Sequence, residues 1–165
     1  MTKKSFLSIA MVLCVCAFGI ALAACGDKDE PSTPSQNTQE FSVKAVITQQ
    51  GGNWTRGEGG LNGSDSKEFK FYKSIYDKVN AVVSTSQSWE VKYTKSDKEA
   101  KFKENRELAE SRYTTMIRAL DAIQKELDQT DKEAFKCMFD MTIQVEAKGE
   151  SVYRQGQKTI KYESN

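Results

Sequence analysis

Three sets of residues in this chain could in principle do chemistry: 23 acidic side chains, four cysteines, and a glycine-rich stretch that carries Trp54, Arg56 and Glu58. Two carboxylates facing each other across a cleft can hydrolyse a glycoside. The acids here are spread along the whole chain, however, and no spacing singles out a pair. Histidine is absent, which removes the base of most serine and cysteine hydrolases and the ligands of HExxH zinc sites. The sequence therefore assigns no catalytic residue and no metal ligand, and a carboxylate-dependent glycan hydrolase stands only as an alternative reading.

The glycine-rich stretch "QQGGNWTRGEGGLNGSDS", residues 49–66, holds six of the ten glycines. It lies between a strand-like and a helix-like segment, the setting in which phosphate loops occur. A Walker loop needs lysine and a hydroxyl after its last glycine, but Gly63 is followed by Ser64 and Asp65. A dinucleotide fingerprint needs glycines at relative positions one, three and six, and here Gly57 and Gly59 are followed by Asn62. Both patterns miss, so neither nucleotide nor any other cofactor is expected. What remains is a loop offering Trp54, Arg56 and Glu58 to a ligand or partner. Tryptophan and arginine are enriched at binding hot spots, and an indole can stack on a sugar ring. The competing expectation is that Trp54 folds back over the edge of the core.

The first thirty residues read differently. Lys3 and Lys4 precede an uncharged apolar run over residues 6–24 that ends Leu22, Ala23, Ala24, Cys25. A basic start, an apolar middle and small residues before a cut site describe a secretory signal peptide. The tetrapeptide resembles the lipobox of bacterial lipoproteins, and the resemblance implies cleavage before Cys25 and acylation of its thiol and new amino group. Two acyl chains suffice for stable membrane attachment. The following "GDKDE" resembles the acidic tag of Bacteroidetes outer-membrane and surface lipoproteins, so the expected address is the outer membrane, lipid-anchored, with the periplasmic and the surface face both open.

Removing residues 1–24 also removes Cys14 and Cys16. Cys25 is then used for lipid and Cys137 stands alone, which rules out a disulfide framework. Without an activating neighbour, Cys137 reads as a small core residue. Loss of Lys3 and Lys4 leaves acids and bases nearly balanced, so no basic field exists to hold nucleic acid.

Residues 25–39 contain both prolines and little to bury; they are expected to be a lipidated, disordered tether. Residues 40–165 are expected to form one α+β domain. Phe41, Val43, Ala45 and Ile47 alternate as in a strand. Phe69, Tyr72, Ile75, Tyr76, Val79, Val82 and Val83 step by three and four as on a helix, with Asp65 and Glu68 as its capping box. Trp89, Val91 and Tyr93 mark a second strand. Ser96 and Glu99 suggest a cap for a long helix with a stripe of Leu108, Ala109, Tyr113, Met116, Ile117, Leu120, Ile123 and Leu127. Its first turns carry only Ala100 and Phe102, and that end is expected to project into solvent or toward a partner. Charged pairs Glu99 with Lys103 and Asp121 with Lys125 have the spacing of exposed helix faces.

Strict alternation from Phe135 to Ala147 outweighs a possible helix cap at Thr130 and Glu133, giving a long strand. A two-residue turn at Gly149 and Glu150 would pair it with "SVYRQGQKTIKYE", setting Cys137 opposite Tyr162 and Phe139 opposite Ile160. The expected fold is α+β: a largely antiparallel sheet with two helices on one face, in the order β-α-β-α-β-β, ending in a C-terminal hairpin. The expected function is a non-enzymatic binding module for an envelope protein or glycan, acting through the glycine-rich loop and the adjoining helix surface. An apolar-ligand carrier would instead need a cavity between helices and sheet.

Overall fold

A computed structural model of the chain describes residues 35–53 and 65–164. The signal peptide, Cys25, most of the tether, and the loop residues Trp54, Arg56 and Glu58 lie outside the described residues.

The elements are β1 (Asn37–Asn53), α1 (Lys67–Val83), β2 (Gln87–Tyr93), α2 (Lys98–Asp128), β3 (Met138–Lys148) and β4 (Val152–Glu163). The strands form one antiparallel sheet in the order β2-β1-β3-β4, and both helices cover one face of it. This is the expected α+β arrangement with its C-terminal hairpin. The sheet starts at Asn37, earlier than alternation alone indicates, because residues 37–39 find partners in β2, Asn37 opposite Tyr93 and Gln39 opposite Val91.

The helix-facing row of the sheet is apolar along β1 and β3: Phe41, Val43 and Ala45, then Phe139, Met141, Ile143, Val145 and Ala147, all buried. Ile160 and Tyr162 of β4 extend it. Against it α1 sets Tyr72, Ile75 and Val79, and α2 sets Ala109, Met116, Leu120, Ile123 and Leu127. Burying a side chain of this size contributes roughly 1.5–3 kcal/mol, so this one interlayer core accounts for most of the cohesion. Leu108, placed on the stripe by sequence, is 41 % exposed, whereas its neighbour Ala109 is fully buried.

Both helix starts depart from the expected caps. Ser66, not Asp65, caps α1: its extended backbone lets Oγ accept from the Phe69 N–H at 3.0 Å. At α2 the flanking residue is Asp97, whose side chain caps no helical N–H. Its Oδ1 instead accepts from the Thr94 N–H at 2.6 Å and the Thr94 hydroxyl at 2.9 Å. These bonds hold the Asp97 carboxyl below its usual range. Ser96 shares a hydrogen bond with Thr94 at 2.9 Å, so the β2–α2 corner is stabilised from outside the helix rather than by a Ser96–Glu99 box.

The first turns of α2 do not project into solvent. Phe102 meets Phe41 and Tyr93 edge-on, with ring centroids 5.5 and 4.8 Å apart. Asn105 accepts from the Trp89 indole N–H at 2.8 Å.

The hairpin keeps the expected face but not the expected register. Phe139 lies opposite Tyr162 and Met141 opposite Ile160, a slip that preserves the apolar side because it spans an even number of residues. The turn is longer than two residues: Lys148 pairs with Val152, and the register shifts between Ala147 and Lys148. A Cβ on Gly149 would lie 2.7 Å from the Phe41 ring, so the chain needs glycine there to pass the ring before turning. Ahead of β3, residues 132–134 form a turn and the strand begins at Met138 rather than at Phe135.

Candidate functional site

The loop residues offered by sequence lie outside the described residues, so the site is built from what flanks them and from the surfaces around the sheet. Among the described residues no helix is long and apolar enough to cross a membrane, and no group of three or more metal-binding side chains clusters.

The remaining sequence candidates sit in or beside the core. Cys137 is buried, and burial, helped by Glu68, pushes its thiol up to about 11. A thiol in that state is a poor nucleophile at neutral pH, consistent with its reading as a core residue. Tyr72 is buried beside Phe139 at 5.3 Å. Trp89 stacks on Phe41 at 6.2 Å and lies under the Arg112 guanidinium at 4.6 Å. Along the sheet register Tyr93 shares that helix-facing row. Tyr72, Tyr76, Trp89 and Tyr93 are thus tied to the helix side of the molecule and form no outward platform for a sugar.

A groove of about 490 Å³ separates the first half of α2 from the tip of the β3–β4 hairpin, lined by Lys98, Phe102, Arg106, Glu107, Glu110 and Glu150 among others. Its inner row repeats at the four-residue helical spacing, and each member reaches across to the sheet. Lys98 Nζ is 2.7 Å from Glu150 and sits 5.0 Å over the Phe102 ring. The bond to Glu150 raises the Lys98 ammonium. Arg106 lies 5.2 Å over Tyr153, and Glu110 is 3.7 Å from Arg154 Nε. Burial raises the Tyr153 phenol, and its buried oxygen has no hydrogen-bond partner. Glu110 and Glu150 are turned to cations, so these two acids bridge a helix to a hairpin. That arrangement explains the closeness of charges without invoking glycan hydrolysis.

One of the acids expected to pair within α2 reaches toward the sheet instead. Asp121 is 2.7 Å from Lys158 of β4. Exposed pairs of this kind contribute at most about 1 kcal/mol; they orient rather than hold.

The opposite face of the sheet carries neither helix. Lys44 and Val46 of β1, Thr142, Gln144 and Glu146 of β3, and Gln157 and Thr159 of β4 alternate out of the core row. Val46 is 55 % exposed. Ser42 and Thr142 are only 6 % exposed, and the Thr48 hydroxyl donates to the Thr142 carbonyl at 3.2 Å. The patch of Val46, Gln144, Gln157 and Thr159 on this surface is uncharged, and Lys44 and Glu146, opposite each other, border it with one charge of each sign. It can offer many donors and acceptors to a partner while repelling neither sign of charge.

Two polar side chains, neither marked by any motif or periodicity, act at the sheet's edges. Gln124 of α2 accepts from the Lys161 N–H at 2.8 Å and donates to the Lys161 carbonyl at 3.1 Å. The carboxamide thereby does for β4 what a fifth strand would do. Ser86, just before β2, accepts from the Ala45 N–H at 2.8 Å and lies 3.4 Å from the Ala45 carbonyl. Both partners are backbone groups about forty residues away in sequence, which no local spacing reveals.

Compared with known family models, curated proteins and solved structures, the chain matches none.

Proposed function

We propose that this chain is an outer-membrane lipoprotein, held by acyl chains on Cys25 and presented at the cell surface, whose α+β domain is a non-enzymatic binding module for another component of the envelope. The observation that carries the binding role is the face of the sheet that neither helix covers, with Val46, Gln144, Gln157 and Thr159 close together on it and both helices on the far side. Backing by a packed core makes such a face rigid, and rigidity lowers the entropy cost of association. Of the two partner classes, a protein suits this face better than a glycan, because among the described residues Tyr72 and Trp89, which could stack on sugars, are engaged on the helix side. The address rests on the Leu22-Ala23-Ala24-Cys25 lipobox and its acidic flank.

Photo-crosslinking in living cells tests the binding role. A crosslinking side chain at Thr159 is expected to give a discrete adduct, and one at the exposed Leu108 on the helix side none. Adducts from Leu108 but not from Thr159 would refute the choice of face. For the anchor, Cys25→Ala is expected to move the chain from the membrane to the soluble fraction; retention on the membrane after signal cleavage would overturn it.

A further inference from the structure

A sheet of four strands has two outer edges, but among the described residues this one has a third open stretch because its strands differ in length. β1 runs from Asn37 to Asn53, whereas β2 accompanies it only from Asn37 to Val43. Ser86 then serves Ala45, and past that point no described residue pairs with β1 on the β2 side. In an antiparallel ladder successive residues point their N–H and C=O to alternate sides. Ala45 points toward Ser86, so Ile47 points the same way. The register shifts between Ile47 and Gln49, a bulge that leaves Gln49 and Gly51 turned to β3 and Gln50 and Gly52 turned to the open side.

The other edges are managed in ways that natural sheets use against unwanted pairing. The outer edge of β2 is short and carries Glu90 and Lys92. That of β4 is met by Gln124 at Lys161 and flanked by Lys158. The β1 stretch, "VITQQGGN" over residues 46–53, has neither charge nor proline. At its closed end a cleft of about 240 Å³ is lined by Lys44, Ala45, Val46, Ser86, Gln87 and Ser88, large enough for one apolar side chain resting on Val46.

We propose that this open edge of β1 is a strand-addition site for an extended, uncharged peptide of a partner protein, lying antiparallel to β1 in the line of β2 and ending against Ser86. Main-chain bonds to Ile47, Gln50 and Gly52 supply affinity, and the cleft beside Val46 selects an apolar residue at the peptide's leading end. A second copy of the chain fits less well. It carries the same bulge, so in any antiparallel register of the two edges at most two of the three open residues find an open partner, whereas a free peptide can follow the bend. The site rests on the reading of the domain as a protein-binding module and names how a partner is held.

The test uses the full-length chain in detergent and a displayed library of random dodecapeptides lacking Asp, Glu, Lys and Arg. Enriched peptides, made synthetically, are expected to bind and to slow amide exchange at Ile47, Gln50 and Gly52. N-methylation at every second peptide residue is expected to weaken binding at least tenfold, while methylation of the intervening residues leaves it unchanged. Gln50→Pro removes a donor on the open side, where proline is tolerated in strands, and is expected to weaken binding at least tenfold with an unchanged far-ultraviolet spectrum. If that variant does not fold, the methylation series on the unmutated chain decides alone. Failure to enrich any peptide, binding indifferent to the methylation alternation, or sedimentation showing self-association lost in Val46→Lys would overturn the site. Thr159 crosslinks without peptide binding would sink the edge site and leave the binding module standing; absence of both would sink both.

Discussion

Gly156 lies in β4 opposite Val145, under Tyr113 of α2. A Cβ built there would be 2.2 Å from the Tyr113 hydroxyl oxygen and 3.5 Å from the ring carbon that bears it. The first distance is far inside contact and the second is ordinary van der Waals separation, so the oxygen alone reserves the space. No left-handed backbone is involved. Gly156→Ala must push Tyr113 aside, and forced overpacking of this kind costs about 1–3 kcal/mol. Against that stands a gain of roughly 0.4–1 kcal/mol from restricting the unfolded chain. In a Tyr113→Phe background the new methyl meets only the ring carbon, and the same change should be neutral or stabilising by up to about 1 kcal/mol. Urea unfolding of the four proteins, with m-values checked for constancy, gives the coupling directly. A penalty for Gly156→Ala that persists undiminished in Tyr113→Phe would show that the hydroxyl does not exclude the methyl, and the placement of α2 over β4 would be wrong.

Gln124→Ala leaves the Lys161 N–H and C=O at the β4 edge to water or to another chain; each lost bond is worth about 0.5–1.5 kcal/mol, and light scattering during slow heating should show earlier association than for the unmutated protein. Cys137 gives a pH signature. Its folded pKa is raised, so the unfolded thiol ionises first, and stability present below about pH 9 is expected to fall as pH rises toward about 11. The Tyr72, Tyr153 and Tyr162 phenols, also raised by burial, add a similar loss at higher pH. Cys137→Ala should therefore lose less stability between pH 8 and pH 10 than the unmutated chain in parallel thermal melts; identical losses would place the thiol in contact with water.

The element order and the apolar face of each strand were legible because alternation in β1 and β3 and three-four stepping in α1 and α2 report burial directly. Corners were not legible. Asp65 and Ser66 are both capable caps, and only the entry angle of α1 chooses between them. The hairpin register depended on the Phe41 ring, which crowds Gly149 from a strand more than a hundred residues earlier. Phe71 escaped notice because it lies beside the α1 stripe, yet it stacks on Phe135 at 4.0 Å with planes 4° apart. Phe102 was read as isolated because its partners Phe41 and Tyr93 belong to other elements. The same non-locality hid Gln124 and Ser86, whose roles are to satisfy distant backbone. The open edge of β1 is a difference between two strand lengths, which periodicity measures poorly at glycine-rich ends.

The position of β1 also decides how the domain bears load. Any tension on the chain upstream of Asn37 enters at the end of the one strand that is paired with β2 first and β3 afterwards. Ladder bonds lie perpendicular to the strands, so a pull along β1 shears many of them together instead of peeling them one after another. Peeling breaks bonds in sequence at low force, whereas shear must defeat a whole row at once. A domain hung from that end would therefore meet a pull along β1 with its longest ladder loaded in shear.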